Sequence, residues 1–325
     1  MTPTLTRTLQ IGALLTAVGL GVVPFASDAV REARVPDDGA VAVATRAIRA
    51  GFQAGDAVVV DPSWYTLPWH ALERMGTGTE AWPYPALYAS EDFDVVDAMG
   101  HDRLWVLAAF DRPADAPAVI ADGVKARVDI PLDVEHVALA RYDVAKVERL
   151  RTLTADHQQL VVRRGPEGGA MTPCKWRGDR QRCGREGYRD VYREDRVVSH
   201  IQTRWLMTVP SDKGEVLEID WKDLPAKGTW LYLRAGWTMQ AVREPAGKAT
   251  TVTVLVDGRE VDRFVLEPHR WLLERRAIRL DAAQPVTVTF RAGTEELDAR
   301  ELMMEADVLG SLPEPLRRWA TAVRE

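Results

Sequence analysis

A chain of 325 residues has room for about two domains at roughly 150 residues each, and 42 Lys and Arg against 48 Asp and Glu leave a net charge of −6. No basic block interleaves with aromatics, which excludes the usual electrostatic footprint of a nucleic-acid binder. Neither a glycine-rich phosphate loop nor a GxSxG nucleophile elbow occurs, so nucleotide-dependent and serine acyl-transfer chemistry have no motif here.

The chain begins with an uncharged run, Ile11 to Ala26, close behind Arg7. It has the charged start and apolar stretch of an export signal. As a helix it would span about 24 Å, a little less than the roughly 30 Å hydrocarbon core. Leu9 and Val30 extend it at either end. Ser27-Asp28-Ala29 offers a poor cleavage site, and Pro24-Phe25-Ala26 fits the small-x-small rule worse. Residues 1–35 are therefore expected to be an uncleaved, single-pass anchor in the cell membrane with an extracytoplasmic chain beyond it. The alternative is a cleaved signal and a secreted protein. Arg7 precedes the run while Arg31 and Arg34 follow it, so charge leaves its orientation open.

Residues 36–148 alternate helix and strand signals. Val41 to Gln53 is helical in pattern, with Gly51 or Gly55 to end it. Ala57 to Val60 is a continuously apolar strand, as in a buried parallel sheet. Leu67 to Met75 reads as a helix, Ala86 to Ala89 as a strand, Asp92 to Met99 as a helix and Arg103 to Phe110 as a second strong strand. Further strands are expected at Ala126 to Ile130 and Val134 to Tyr142. The alternation predicts a small three-layer α/β domain. A site in such a sheet lies beyond the carboxyl ends of its strands. Asp61, Trp64, Tyr65, Trp69 and His70 follow the first strand, and Asp111 and Arg112 follow the second. Asp61, His70, His101 and Asp111 are expected to gather on that edge, either as a site or as turn caps beneath aromatics covering the sheet end. Capping is the reading adopted, because no third catalytic partner stands at a recognisable spacing.

Gly55-Asp56-Ala57-Val58-Val59-Val60-Asp61-Pro62 with Tyr65, then Arg103-Leu104-Trp105-Val106-Leu107, then Ala140-Arg141-Tyr142, resembles the extracytoplasmic domain that follows the last membrane helix in bacterial protein O-mannosyltransferase-like membrane glycosyltransferases. The resemblance covers roughly the first 140 residues and implies location and architecture. In that family the catalytic acids lie in a multi-helix membrane portion. This sequence offers at most one such helix, so no catalytic residue carries over. The resemblance implies an accessory or degenerate relative, with a polytopic glycosyltransferase as its partner.

From residue 153 to 311 the period changes to two. Val197 to Val209 reads as one long strand. Leu217, Ile219 and Trp221 alternate with Glu218 and Asp220, and Val252, Val254 and Val256 lead into an Asp257-Gly258 hairpin turn. Val261 to Leu266, Leu272 to Leu280, Val286 to Phe290 and Leu302 to Val308 continue the series. Many short alternating strands predict a β-sandwich, and their order resembles a jelly roll of the carbohydrate-binding-module type. On Thr229 to Ala235, Leu231 and Leu233 alternate with Trp230, Tyr232 and Arg234. If the leucines face the core, Trp230, Tyr232 and Arg234 form an outward stripe suited to stacking on a sugar ring, which Trp237 and Trp271 extend. The same stripe could instead pack against the first module or the other sheet, and packing is the favoured reading because a large apolar patch usually meets a partner. Glu218, Asp220 and Asp223 read as a solvated strand face, with calcium ligation as the alternative.

Cys174 and Cys183 are expected to form one local disulfide. The basic loop between them, containing Arg177-Gly178-Asp179, reads as a structural hairpin, or as a surface loop meeting an anionic sugar or lipid headgroup. Its Arg-Gly-Asp tripeptide is too short to carry an adhesion role. Residues 312–325 form a tail helix with Leu316, Trp319 and Val323 near one face, expected to dock on the sandwich. No cofactor, metal site or catalytic residue is read from the sequence. The expectation is a noncatalytic, membrane-anchored envelope protein whose β-sandwich binds a glycan or another envelope component. A hydrolase using Asp61, His70 or Asp111 is the enzymatic alternative.

Overall fold

The computed structural model describes residues 35–320 except 63, 76–86, 90–92, 94, 99–100, 118–119, 121–122, 145–147, 184–189, 199–200, 211–213, 244–247, 269, 271–272 and 295–300. The run from Ile11 to Ala26 lies outside the described residues, as do Trp271 and Val323. Among the described residues no helix is long and apolar enough to cross a membrane.

The first layer is built on helix α1 (Asp38–Gly51). Asp37 caps it, its Oδ1 accepting from the Ala40 amide at 2.6 Å, with Asp38 in the first turn and Arg49 in the last. Both charges complement the helix dipole. Ala40, Val41, Ala44 and Ile48 recur at helical spacing on the buried face. The last helical residue is Gly51, against which the Trp105 indole lies; a Cβ there would sit 2.6 Å from the ring.

Strands β1 (Asp56–Asp61), β2 (Leu87–Ala89), β3 (Arg103–Ala109), β4 (Val124–Ile130) and β5 (Val137–Val144) form one sheet in the order β2-β1-β3-β5-β4. β1 runs parallel to β2 and β3, whereas β5 is antiparallel to β3 and β4. The sheet is thus mixed rather than parallel. The connection from β4 to β5, residues 131–136, permits only an antiparallel pair, since a parallel return needs a crossover of a dozen or more residues. Alternation divides β1 between two cores. Val58 and Val60 join Ala44 and Ile48 of α1 and Leu72 of helix α2 (Leu67–Met75). Ala57 and Val59 face the other way, to Val95 and Val96 of the single-turn helix α3 (Val95–Ala98) and to Tyr232, Ala277, Leu309, Leu312 and Leu316. One helical turn cannot cover five strands, so the sandwich and its tail share the third layer with α3, Phe93, Ala114 and Ile120.

The sandwich comprises β6 (Arg149–Thr152), β7 (Val161–Pro166), β8 (Thr172–Pro173), β9 (Lys175–Arg177), β10 (Arg180–Arg182), β11 (Val191–Val198), β12 (Ile201–Thr208), β13 (Glu215–Leu224), β14 (Lys227–Trp237), β15 (Thr250–Val256), β16 (Arg259–Leu266), β17 (Glu274–Asp281), β18 (Val286–Thr294) and β19 (Leu302–Leu309), with helix α4 (Met239–Arg243) after β14. One sheet runs β17-β14-β19-β12-β11-β10-β9, with β6 also on β19, and the other runs β16-β15-β18-β13-β7-β8. Leu217, Ile219 and Trp221 meet Leu231, Leu233, Val252, Val254 and Phe290 between them. The single strand expected from Val197 to Val209 is instead a pair: β11 ends at Val198, β12 begins at Ile201, and the two are antiparallel. Asp257 and Gly258 both adopt left-handed φ in the β15–β16 turn, as the Asp-Gly signal requires.

Glu218 and Asp220 are not a solvated face. Arg163 and Arg291 lie over them, with Arg291 Nη2 2.7 Å from Glu218 Oε1 and Arg163 Nη2 2.8 Å from Asp220 Oδ2. The arginine stems shield these carboxylates from water. Among the described residues no three His, Cys, Asp or Glu side chains are grouped to hold a metal ion. The Cys174–Cys183 disulfide forms, and Gly178-Asp179 is the turn of the β9–β10 hairpin it closes. The tail is a 3-10 turn, Glu314–Trp319, whose Leu316 enters the core shared with the first sheet.

Candidate functional site

Strand β14 settles the aromatic stripe. Leu231, Leu233, Ala235 and Trp237 point into the sandwich. Trp230 and Tyr232 point out and pack against the first sheet. Tyr232 is 0% exposed and Arg234 only 3%, with Arg234 Nη1 donating to Asp97 Oδ1 of α3 at 2.7 Å. The expected ligand face of Trp230, Tyr232 and Arg234 is therefore an interlayer seam, closed to a sugar by residues more than a hundred positions away. Trp237 does not extend it. Its parity places it with the leucines, and its indole N–H donates to the Glu267 carbonyl at 3.2 Å.

The seam carries more charge than its arginines balance. β19 is buried along its whole length. Leu302, Met304, Ala306 and Val308 face the sandwich core, and Glu305 and Asp307 fall on the opposite face. Arg149 Nε lies 2.9 Å from Asp307 Oδ1, which also accepts from Thr152 Oγ1 at 2.9 Å. Glu305 Oε1 accepts from Thr154 Oγ1 at 3.0 Å. Burial, then the neighbouring Asp307 charge, pushes the Glu305 carboxyl well above the ordinary glutamate range. Burial also raises Asp307, against the opposing pull of Arg149 and Arg234. A proton on Glu305 leaves Asp97 and Asp307 facing Arg234 and Arg149, a neutral set that a dry seam tolerates.

The carboxyl edge of the first sheet is arranged differently. Asp61 ends β1, and the chain turns through a cis Asp61–Pro62 bond to Trp64 and Tyr65. β3 ends at Ala109, paired with Val137 at the start of β5, so the residues flanking that pair converge. Arg112 Nη1 lies 3.2 Å from Asp61 Oδ1, and His136 Nδ1 lies 2.9 Å from Asp111 Oδ1. Trp64, Tyr65 and Phe110 cluster at the same edge, Phe110 standing 4.9 Å from each of the other two rings. Tyr65 is the buried anchor, its hydroxyl donating to the Pro36 carbonyl at 3.3 Å. Burial, with Asp38 and Asp37 beside it, raises its phenol. Trp64 by contrast is 61% exposed, the most exposed large apolar side chain among the described residues.

Phe110, Asp111 and His136 all take left-handed backbone angles, φ 62°, 61° and 61°. Side chains with a Cβ adopt that region at a cost, and such strain concentrates at functional sites. Only Asp223 and Asp257 share it among the other described non-glycine residues.

The sequence placed Asp61 and Asp111 on this edge, together with His70 and His101. His70 is exposed on α2. His101 belongs to the opposite edge: it precedes β3 instead of following it, and its Nδ1 lies 3.3 Å from the Gly55 carbonyl. Burial lowers its imidazole. Trp69 packs on the helical side of the sheet. The histidine at the edge is His136, which sequence reasoning missed because only the antiparallel pairing of β5 with β3 brings it there. An exposed indole can stack on the C–H face of a sugar, and the carboxylate–guanidinium and carboxylate–imidazole pairs on the same edge offer groups that hydrogen-bond hydroxyls.

No protein-family model matches the chain, and no curated protein matches it. Among solved structures it is similar to TmCBM61 in complex with beta-1,4-galactotriose, at 14% identity over 37% of this chain and 79% of that one, TM-score 0.26. It is similar to a family 35 carbohydrate binding module from Clostridium thermocellum, at 12% identity over 37% and 87%, TM-score 0.24. It is also similar to the tandem CBM51 modules of a family 98 glycoside hydrolase from Streptococcus pneumoniae, at 13% identity over 56% and 61%, TM-score 0.31. At these TM-scores the likeness carries no argument, and the β-sandwich rests on its own strand pairing.

Proposed function

We propose that this is a noncatalytic envelope protein, anchored in the membrane through residues 11–26, that binds a glycan at the carboxyl edge of its α/β sheet. The observation that carries the reading is Trp64, 61% exposed against Phe110 at the sheet edge that also carries the Asp61–Arg112 and Asp111–His136 pairs. A hydrophobic residue of that size is expensive to leave in water, and here it rests against the Phe110 and Tyr65 rings. The test is binding to an immobilised panel of neutral oligosaccharides by the parent and by Trp64→Ala. Binding by the parent and its loss in the variant are expected, with the thermal midpoint unchanged. A parent that binds no glycan, or a variant that binds as well, removes the site.

A second reading, a hydrolase, is favoured by one contact. An imidazole oriented by a carboxylate, as His136 is by Asp111, is the arrangement of a general base. Turnover of chromogenic glycosides or esters that is lost in His136→Ala would replace the first reading. Turnover unaffected by that substitution would dismiss the second.

A further inference from the structure

The disulfide loop lies where the chain crosses between the two sheets of the sandwich. β8 pairs with β7 in one sheet and β9 with β10 in the other, so the crossing falls at Cys174. The disulfide ties that point to Cys183, at the end of β10. Between β7 and the hairpin lies an open cavity of about 430 Å³. That is within the roughly 300–1,000 Å³ of small-molecule sites. Arg164, Lys175, Arg177 and Arg182 line it, and Glu215 is the one carboxylate on its described wall.

The four cations are positioned by the fold. Arg164 is only 6% exposed, and its Nη2 donates to the Val209 carbonyl at 2.9 Å, which fixes the guanidinium in the wall. Lys175 and Arg177 alternate with Trp176 on β9, so both cations share the cavity side while the indole meets His157 at 5.8 Å. Arg182 Nε is 3.7 Å from Asp190 Oδ2, a carboxylate with no solvent exposure. Among the described residues no ion pair is made by Lys175 or Arg177. A concave positive site on a chain of net charge −6 runs against the sign of the whole molecule. Clefts of one sign concentrate counter-ions, and guanidinium groups match carboxylate and phosphate oxygens in pairs. A cavity of about 430 Å³ is larger than a bare oxyanion needs.

We infer that this cavity binds a sugar phosphate or sugar acid, its charged group held by Lys175, Arg177 and Arg182 and its body lying along β7. The inference is independent of the reading at Trp64.

Calorimetric titration of the full chain in detergent with glucose 6-phosphate, glucuronate, glucose and inorganic phosphate tests it. Glucose 6-phosphate or glucuronate should bind, and glucose should not. The Lys175→Ser, Arg177→Ser double variant alters only exposed side chains, so it should keep the parent's melting curve while losing at least tenfold in affinity. Trp64→Ala should leave this binding unchanged, which separates failure here from failure at the sheet edge. Absence of binding by both sugar anions, or full affinity in the double variant, overturns the inference. Inorganic phosphate binding as tightly as glucose 6-phosphate overturns its sugar-sized part.

Discussion

Arg234→Met tests whether the seam welds the first sheet to the sandwich. The substitution keeps most of the side chain's volume and removes the cation bonded to Asp97 at 2.7 Å, where the two side chains are 3% and 1% exposed. Breaking a buried pair by deleting one partner costs about 3–5 kcal/mol. The lower end, about 3 kcal/mol, applies here because Arg149 stays in the seam, its Nη2 donating to the Val96 carbonyl beside Asp97 at 2.8 Å. At about 2 °C per kcal/mol for a large cooperative unit, the midpoint should fall by about 6 °C. Scanning calorimetry should show one transition in the parent, because Tyr232, Leu309 and Leu316 belong to the same core as Ala57, Val59 and Leu104. Arg234→Met with Asp97→Leu should recover most of the loss, since replacing both members by apolar groups leaves neither carboxylate nor guanidinium unpartnered and Asp307 still faces Arg149. A loss below about 1 kcal/mol, below the range for a buried pair, would refute the reasoning. So would a double variant no better than the single one.

Two further outcomes are expected of the fold. Glu305 is lifted above its ordinary value of 4.5 by burial, so above that pH the folded chain holds more protons than the unfolded one and stability falls as pH rises through the folded value. Glu305→Gln keeps an acceptor for Thr154 and should flatten that decline in urea titrations at pH 5 and pH 8; an unchanged slope would remove Glu305 as its cause. Cys174→Ser with Cys183→Ser opens a loop of sequence separation 9, and on the chain-entropy view should cost about 2–3 kcal/mol. Chemical denaturation measures it, and a cost near zero would show that β9 and β10 hold the hairpin without the bond.

Much of the fold was legible because it is local. The helical pattern from Val41 to Gln53 located α1 although the helix begins earlier, at Asp38, the unbroken Ala57–Val60 run wrote β1, and Asp257-Gly258 wrote its hairpin. Alternation on β14 correctly set Leu231 and Leu233 against Tyr232 and Arg234, and the same count assigns Trp237 to the core. A period of two shows which residues share a face. It carries no information about what covers that face, because the cover comes from distant chain: Asp97 lies 137 residues from Arg234. The edge of the first sheet follows the same division. Asp61 and Asp111 were readable as residues that end strands. His136 entered only through the direction in which β5 pairs with β3, whereas His101 left because it precedes β3 and sits at the opposite edge. Strand period and turn chemistry are properties of neighbours in sequence. Strand direction and the closing of the seam depend on which distant surfaces exclude water together, and only the tertiary structure decides that.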